Sequence, residues 1–245
     1  MTYVILILAS LWAGMQNALA GGGSFITLPA LMLTGMNAHA ANITSTIALF
    51  PAQIATGLTG RKLVSGVAAL SFRSLVMISL IGGAVGAMLL LITPPTFFAR
   101  LVPWLVLFAT VVFAWGSFGP RREGSRTLNR EGAAAAQFCI SIYGGYFGGG
   151  IGFLMLAALT ASGLALRSAG ASKNVLAGVM NASAVAIFVF SPEVHWLAAL
   201  VAATGAIVGG VLGGLMMQKV NERALRCIVV LIGIALTVGL FLRAP

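Results

Sequence analysis

Apolar residues run along this chain in eight long stretches, near 3–34, 40–58, 66–93, 97–118, 132–163, 169–190, 194–217 and 224–242. A helix needs roughly 20 apolar residues to cross a bilayer, so the pattern is that of a polytopic membrane protein. The one long polar interruption runs from Pro120 to Glu131 and carries Arg121, Arg122, Arg126 and Arg130. It divides the chain into two nearly equal halves: a first transmembrane repeat over 1–119, a linker loop over 120–131 and a second repeat over 132–245. The apolar N-terminus lacks a basic leader and is not followed by a soluble domain, so it reads as the first membrane segment rather than a removable signal peptide.

Two of the stretches are broken from within. Ala20-Gly21-Gly22-Gly23-Ser24 interrupts the first, and Gly144-Gly145-Tyr146-Phe147-Gly148-Gly149-Gly150-Ile151-Gly152 interrupts the fifth. Each helix-interior glycine costs about 1 kcal/mol relative to Ala, so the helix should stop at both places. In lipid, freed backbone groups are tolerated only where protein or a water-lined cavity satisfies them. The apolar pieces that follow, Ser24–Thr34 and Gly152–Ser162, each rise about half of a 30 Å hydrocarbon core. Half-helices of that length would start near the midplane, with unpaired N–H groups and the positive end of the helix dipole exposed. Ser24 is in addition a favourable N-cap type. Two such ends meeting at one point would form an anion site built from backbone.

The two breaks belong to a longer correspondence. At an offset of 128 residues, Gly22-Gly23-Ser24-Phe25 faces Gly150-Ile151-Gly152-Phe153, Gly35 faces Gly163, and Thr44-Ser45-Thr46 faces Ser172-Lys173-Asn174. Gln53 and Asn181 share the same offset, and Gly82-Gly83-Ala84-Val85-Gly86 matches Gly209-Gly210-Val211-Leu212-Gly213 at 127. Internal repeats of this kind are how many transporters are built. The glycines of the 82–86 and 205–214 segments have a simpler expected role, close packing of helices.

Charge then selects a topology. Lys and Arg concentrate in cytoplasmic loops. Eight single crossings would divide the basic residues almost evenly. If the two glycine-broken stretches are instead hairpins, Arg61, Lys62, Arg73, the four linker arginines, Arg167, Lys173, Lys219, Arg223 and Arg226 all fall on the cytoplasmic side. Only Arg100 and Arg243 then fall outside. The predicted fold is therefore an all-α integral membrane protein of two inverted repeats, each a glycine-broken hairpin plus three crossing helices. Both termini and the Glu193–His195 loop would lie outside.

Composition narrows the chemistry. Hydrophobic residues make up 60% of the chain and charged residues 7%, against roughly 25% in soluble domains. The net charge of +10 comes from basic residues scattered between apolar runs, which argues against nucleic-acid binding. The four acidic residues are Glu123, Glu131, Glu193 and Glu222, and no carboxylate lies within a predicted span. Cys139 and Cys227 sit in apolar stretches without metal spacing and read as small core residues. No His-Glu-x-x-His or Gly-x-Ser-x-Gly pattern is present, so neither an enzyme nor a metal or cofactor is expected.

The candidate anion-binding residues are Gly21, Gly22, Gly23 and Ser24 at the first break and Gly149, Gly150, Ile151 and Gly152 at the second. A second layer follows each half-helix: Thr44 and Ser45 in the first half, Ser172, Lys173 and Asn174 in the second, with Gln53 and Asn181 deeper in. The hydroxyls could equally cap their own helices, and Lys173 could equally be a topology signal. His39 and His195 lie near predicted helix ends, where exposure in loops is the expectation and proton coupling the alternative. The four tryptophans are expected in the interfacial belts.

At these residues the chain resembles the TauE/SafE family of anion permeases, the sulfite exporter family. The carrying motifs are Ala20-Gly-Gly-Gly-Ser-Phe-Ile-Thr-Leu-Pro29 with Thr44-Ser45, and Gly144-Gly-Tyr-Phe-Gly-Gly-Gly-Ile-Gly152 with Ser172-Lys173-Asn174. The resemblance covers essentially the whole chain and implies an inner-membrane secondary transporter of sulfite, a sulfonate, thiosulfate or another small organic anion. Ala157 stands where the first repeat has Pro29, and Asn174 follows Lys173, so which half dominates binding stays open. An anion channel or uniporter is the alternative. The expected partners are the anion and the lipid bilayer, with a homodimer compatible with the sequence and no cofactor required.

Overall fold

The computed structural model describes residues 2–19, 21–67, 70–118, 128–216 and 222–243. Ala20 of the first motif, Arg121, Arg122 and Arg126 of the linker, and Lys219 lie outside the described residues. Among the described residues the architecture is all-helical. Ten α-helices run in the order α1 (Thr2–Leu19), α2 (Ser24–Met32), α3 (Ala38–Gly60), α4 (Phe72–Ile92), α5 (Pro95–Phe118), α6 (Arg130–Tyr146), α7 (Ile151–Ala161), α8 (Leu166–Phe188), α9 (Trp196–Met216) and α10 (Glu222–Arg243). A 3-10 turn over Arg61–Leu63 follows α3. Four helices contain segments long and apolar enough to cross a membrane, over Phe72–Ile92, Pro95–Trp115, Arg167–Phe188 and Trp196–Gly213.

Both glycine segments end a helix, and both chains then double back. At the second break, the carbonyl of Ala161 at the end of α7 accepts from the Leu128 amide just before α6 (3.0 Å), which returns the segment to its point of entry. At the first, a Cβ placed on Gly23 would lie 2.7 Å from the Ala13 carbonyl oxygen, one and a half turns back along α1. The half-helices are 9 and 11 residues long, and Gly35 (φ 96°) and Gly163 (φ 93°) turn the chain after each of them.

Helix packing pairs elements across the halves. α1 lies against α9 and α4 against α6, while α3 packs on α8 and α5 on α10. These contacts exchange with one another when the two halves are swapped. α3 and α8 are both 23 residues long and start 128 residues apart. Small residues make the cross-half approach possible. A Cβ on Gly205, Gly209 or Gly213 would run into the backbone of Ile7, Leu11 or Met15 on α1. Likewise a Cβ on Gly82 or Gly86 would strike Ser141 or the Ile142 carbonyl on α6. Without a hydrophobic drive between helices in lipid, such close backbone contact supplies the attraction.

The outer face is apolar, with Trp12, Trp104, Trp115 and Trp196 all exposed on it. Two expectations are corrected here. Cys139 and Cys227 are exposed rather than in the core; a helix face turned to lipid is as apolar as one turned inward, so composition could not separate the two. His39 is buried, 2% exposed, because the α8–α9 loop covers the start of α3.

Candidate functional site

The two glycine turns meet inside the bundle. A Cβ on Gly21 would stand 3.3 Å from the Gly152 Cα, and one on Gly148 would stand 3.8 Å from the Ser24 hydroxyl. Gly22 (φ 82°) and Gly150 (φ 76°), equivalent at the 128-residue offset, both adopt the left-handed backbone that a side chain disfavours. In this way each turn reverses the chain within a few residues and presents the first amides of the next helix. The amides of Ser24, Ile151 and Gly152 have no hydrogen-bond partner among the described residues. Gln16, buried at 1% exposure, holds the first turn by donating from its side-chain amide to the carbonyls of Gly21 (3.4 Å) and Gly22 (3.3 Å).

Between the turns lies a narrow cleft of about 20 Å³. Gly21, Ser24, Gln53, Ile151, Gly152, Lys173 and Asn174 line it, joined by Asn17, Thr56, Gly148 and Ala177. A volume of that size admits a water and not a polyatomic anion, so this conformation is closed around the cleft. A larger open cavity of about 360 Å³ lies between the Ser65–Val67 loop and the Ser162–Ala165 turn. It has no charged lining residue and is not the centre of the chemistry.

Lys173 is the decisive side chain. It sits in α8, is 7% exposed, and has no ion-pair or hydrogen-bond partner among the described residues. Leaving an ammonium buried without a counter-charge costs several kcal/mol. Of the chain's glutamates, Glu193 is paired with His39 instead, and Glu131 opens α6 on an exposed face. An unpaired cation beside two sets of open helix-end amides is an arrangement that a bound anion would neutralise.

The remaining predicted residues are placed elsewhere. Gly22, Gly23, Gly149 and Gly150 shape the turns from behind the cleft wall. Ser45 shares a 2.5 Å hydrogen bond with the Thr27 hydroxyl, and Thr44 accepts from the His195 amide (3.3 Å). Ser172 is engaged with Ser65, accepting from its amide (3.0 Å) and donating to its carbonyl (3.3 Å). Asn181 donates to the Gln53 side-chain carbonyl at 2.6 Å. Residues equivalent between the halves that touch each other mark the line about which the halves are related.

A family model for the sulfite exporter TauE/SafE matches residues 6–240. The chain belongs to the TauE/SafE family. By family it is therefore a multi-pass membrane transporter. It is similar to the "probable membrane transporter protein YfcA" of Escherichia coli, 26% identical over 241 residues, covering 96% of this chain and 88% of that one. A "probable membrane transporter protein" of Haemophilus influenzae is 28% identical over 242 residues, covering 95% and 92%. The "probable membrane transporter protein ORF9" of a Sinorhizobium species is 26% identical over 248 residues, covering 96% and 90%. No solved structure gives a significant match.

Sequence reasoning about this TauE/SafE protein missed Gln16, Asn17 and Thr56. Gln16 and Asn17 are the only adjacent polar amides in the first apolar stretch, one turn before the glycines. That isolation was the available signal, since a lone amide in lipid-embedded helix must find a partner.

Proposed function

We propose that this protein is a secondary transporter, working as an exporter, for a small anion such as sulfite, a sulfonate or a related organic anion. The anion binds between the starts of α2 and α7, held by their open amides, the Ser24 hydroxyl and the Lys173 ammonium. Gln53 and Asn181, Asn174 and the remaining polar residues of the second layer line the path or brace it. The observation that carries this reading is Lys173, buried and unpaired at the wall of the cleft between the two glycine turns.

The halves are taken as inverted repeats in the inner membrane, with the 120–131 linker on the cytoplasmic side. The basic residues favour that orientation, and the exchange of helix contacts between halves suits a two-fold relation. Rocking one half against the other would open the cleft to each side in turn, which is alternating access. The closed cleft suits a carrier better than a continuous pore.

Counterflow in proteoliposomes tests this. Liposomes preloaded with unlabelled sulfite should accumulate labelled sulfite when the wild-type protein is present, and Lys173→Gln should abolish the accumulation. Equal counterflow by both proteins would refute the site. Sulfite flux that only runs down its gradient, without exchange, would establish the channel or uniporter instead.

A further inference from the structure

We propose that His39 and Glu193 form a proton-binding latch, and that a proton is a second ligand of this transporter. His39 Nε2 lies 2.8 Å from the Leu90 backbone carbonyl. A carbonyl can only accept, so Nε2 carries a hydrogen. His39 Nδ1 lies 2.7 Å from Glu193 Oε2. With Nε2 protonated, that short contact requires one more proton between the two groups. Either Nδ1–H donates to a carboxylate, or a protonated Glu193 donates to Nδ1. If that proton leaves, a nitrogen lone pair faces a carboxylate oxygen at hydrogen-bond distance, and the two must separate.

The proton has a route. The Glu193 side chain is 30% exposed while that of His39 is 3% exposed, so exchange with water runs through the carboxylate. The step is a simple dissociation: the proton passes from the Nδ1···Oε2 contact to water, leaving a neutral imidazole with Nε2–H and a free carboxylate. The other neighbours do not titrate in its place. From α4 the Leu90 carbonyl faces the ring, from α5 the Phe98 ring meets it edge-on at 5.5 Å, and among the described residues Glu193 is the one charged group in contact. The Tyr146 hydroxyl of α6 bonds Thr93 (3.4 Å) and reaches His39 only through Phe98.

The latch closes one end of the bundle and reaches the cleft. Glu193 belongs to the α8–α9 loop, whose Val194 is buried in the same apolar cluster as Leu90 and Phe98. One turn beyond His39, Asn42 donates from its side-chain amide to the carbonyl of Tyr146 (3.0 Å), the last residue of α6. The chain then enters the glycine turn that borders the cleft. Losing the proton frees the loop, and the same packed network carries the change toward the anion site.

The coupling part of this proposal rests on the transport reading, whereas the latch does not. Hydrogen exchange of residues 189–195 in nanodiscs, corrected for intrinsic rates and without anion, reads the latch alone. In the wild type, exchange should rise at least about tenfold as pH is raised from about 5 to about 9, the range in which imidazole titrates and a charge-assisted hydrogen bond is lost. Glu193→Gln should stay protected throughout, because its amide N–H can donate permanently to Nδ1. His39→Phe should exchange fast throughout. A wild-type loop insensitive to pH, or Glu193→Gln exchanging as fast as the wild type at high pH, overturns the latch. In proteoliposomes an imposed pH gradient should accelerate sulfite flux by the wild type but not by Glu193→Gln. Equal acceleration of both overturns the coupling, while absence of any sulfite counterflow would refute the transport reading and leave the exchange result standing.

Discussion

Ser45 and Lys173 hold the same place in the two halves, 128 residues apart on helices of equal length, yet they do opposite things. Ser45 is satisfied within its own half by the Thr27 hydroxyl. The residue equivalent to Thr27 is Met155, fully buried and with nothing to offer an ammonium. Lys173 is therefore left to face the cleft. The two backbones are near copies, but the chemistry has been divided. One half contributes a closed, internally bonded wall, and the other contributes an unspent positive charge. A symmetric scaffold can in this way bind an asymmetric ligand in one orientation.

The glycine turns are where this comparison breaks most severely. Gly150→Val should abolish transport and destabilise the protein by about 2–5 kcal/mol, from left-handed backbone and overpacking together. A Cβ there would stand 2.8 Å from the Ala109 Cβ. Gly22→Val meets only the edge of the Phe25 ring at 3.3 Å; it should also stop transport but cost less stability, with insertion into membranes retained. Counterflow, membrane yield and thermal unfolding of the two variants compare the halves directly.

Lys173→Met should lower transport by about 10- to 100-fold, the worth of a charge-assisted contact, while leaving the protein as stable as the wild type or more so, since an unpaired buried charge is removed. Moving the charge sharpens the point. The double variant Ser45→Lys with Lys173→Ser should not regain activity, because a side chain at 45 points at Thr27 and not into the cleft. Recovery of wild-type counterflow would mean that the halves are interchangeable after all. The smallest effect is expected from Ser45→Ala, which removes one neutral hydrogen bond. It should cost about 1 kcal/mol in thermal unfolding and change the transport rate less than about twofold.

Much of the fold was legible because its breaks are written in glycine. Gly21–Gly23 and Gly148–Gly150 interrupt apolar runs that nothing else interrupts, and the structure ends α1 and α6 there. The small-residue matches at 82–86 and 209–213 likewise correspond to close helix contacts. What stayed illegible was which way a side chain turns. Ser172 lies beside Lys173 in sequence but bonds to Ser65, 107 residues away. His39 and Glu193 are separated by 154 residues and by most of both halves, so no local pattern joins them. In an apolar environment inward and lipid-facing positions share the same composition, which hid the exposure of Cys139 and Cys227 and the lining role of Asn17.

The exchange of packing partners between halves also governs how the chain is made. The groove of Gly205, Gly209 and Gly213 that receives α1 is synthesised about 190 residues after it, on the order of ten to forty seconds later at ordinary ribosomal speed. Until then the first hairpin, with its broken backbone, has no permanent neighbour. It must wait beside the insertion machinery or lie shallowly in the bilayer. The order of emergence thus makes the second half a template onto which the first half finally docks, and a ribosome stalled before α9 would leave an unassembled fragment exposed to proteases.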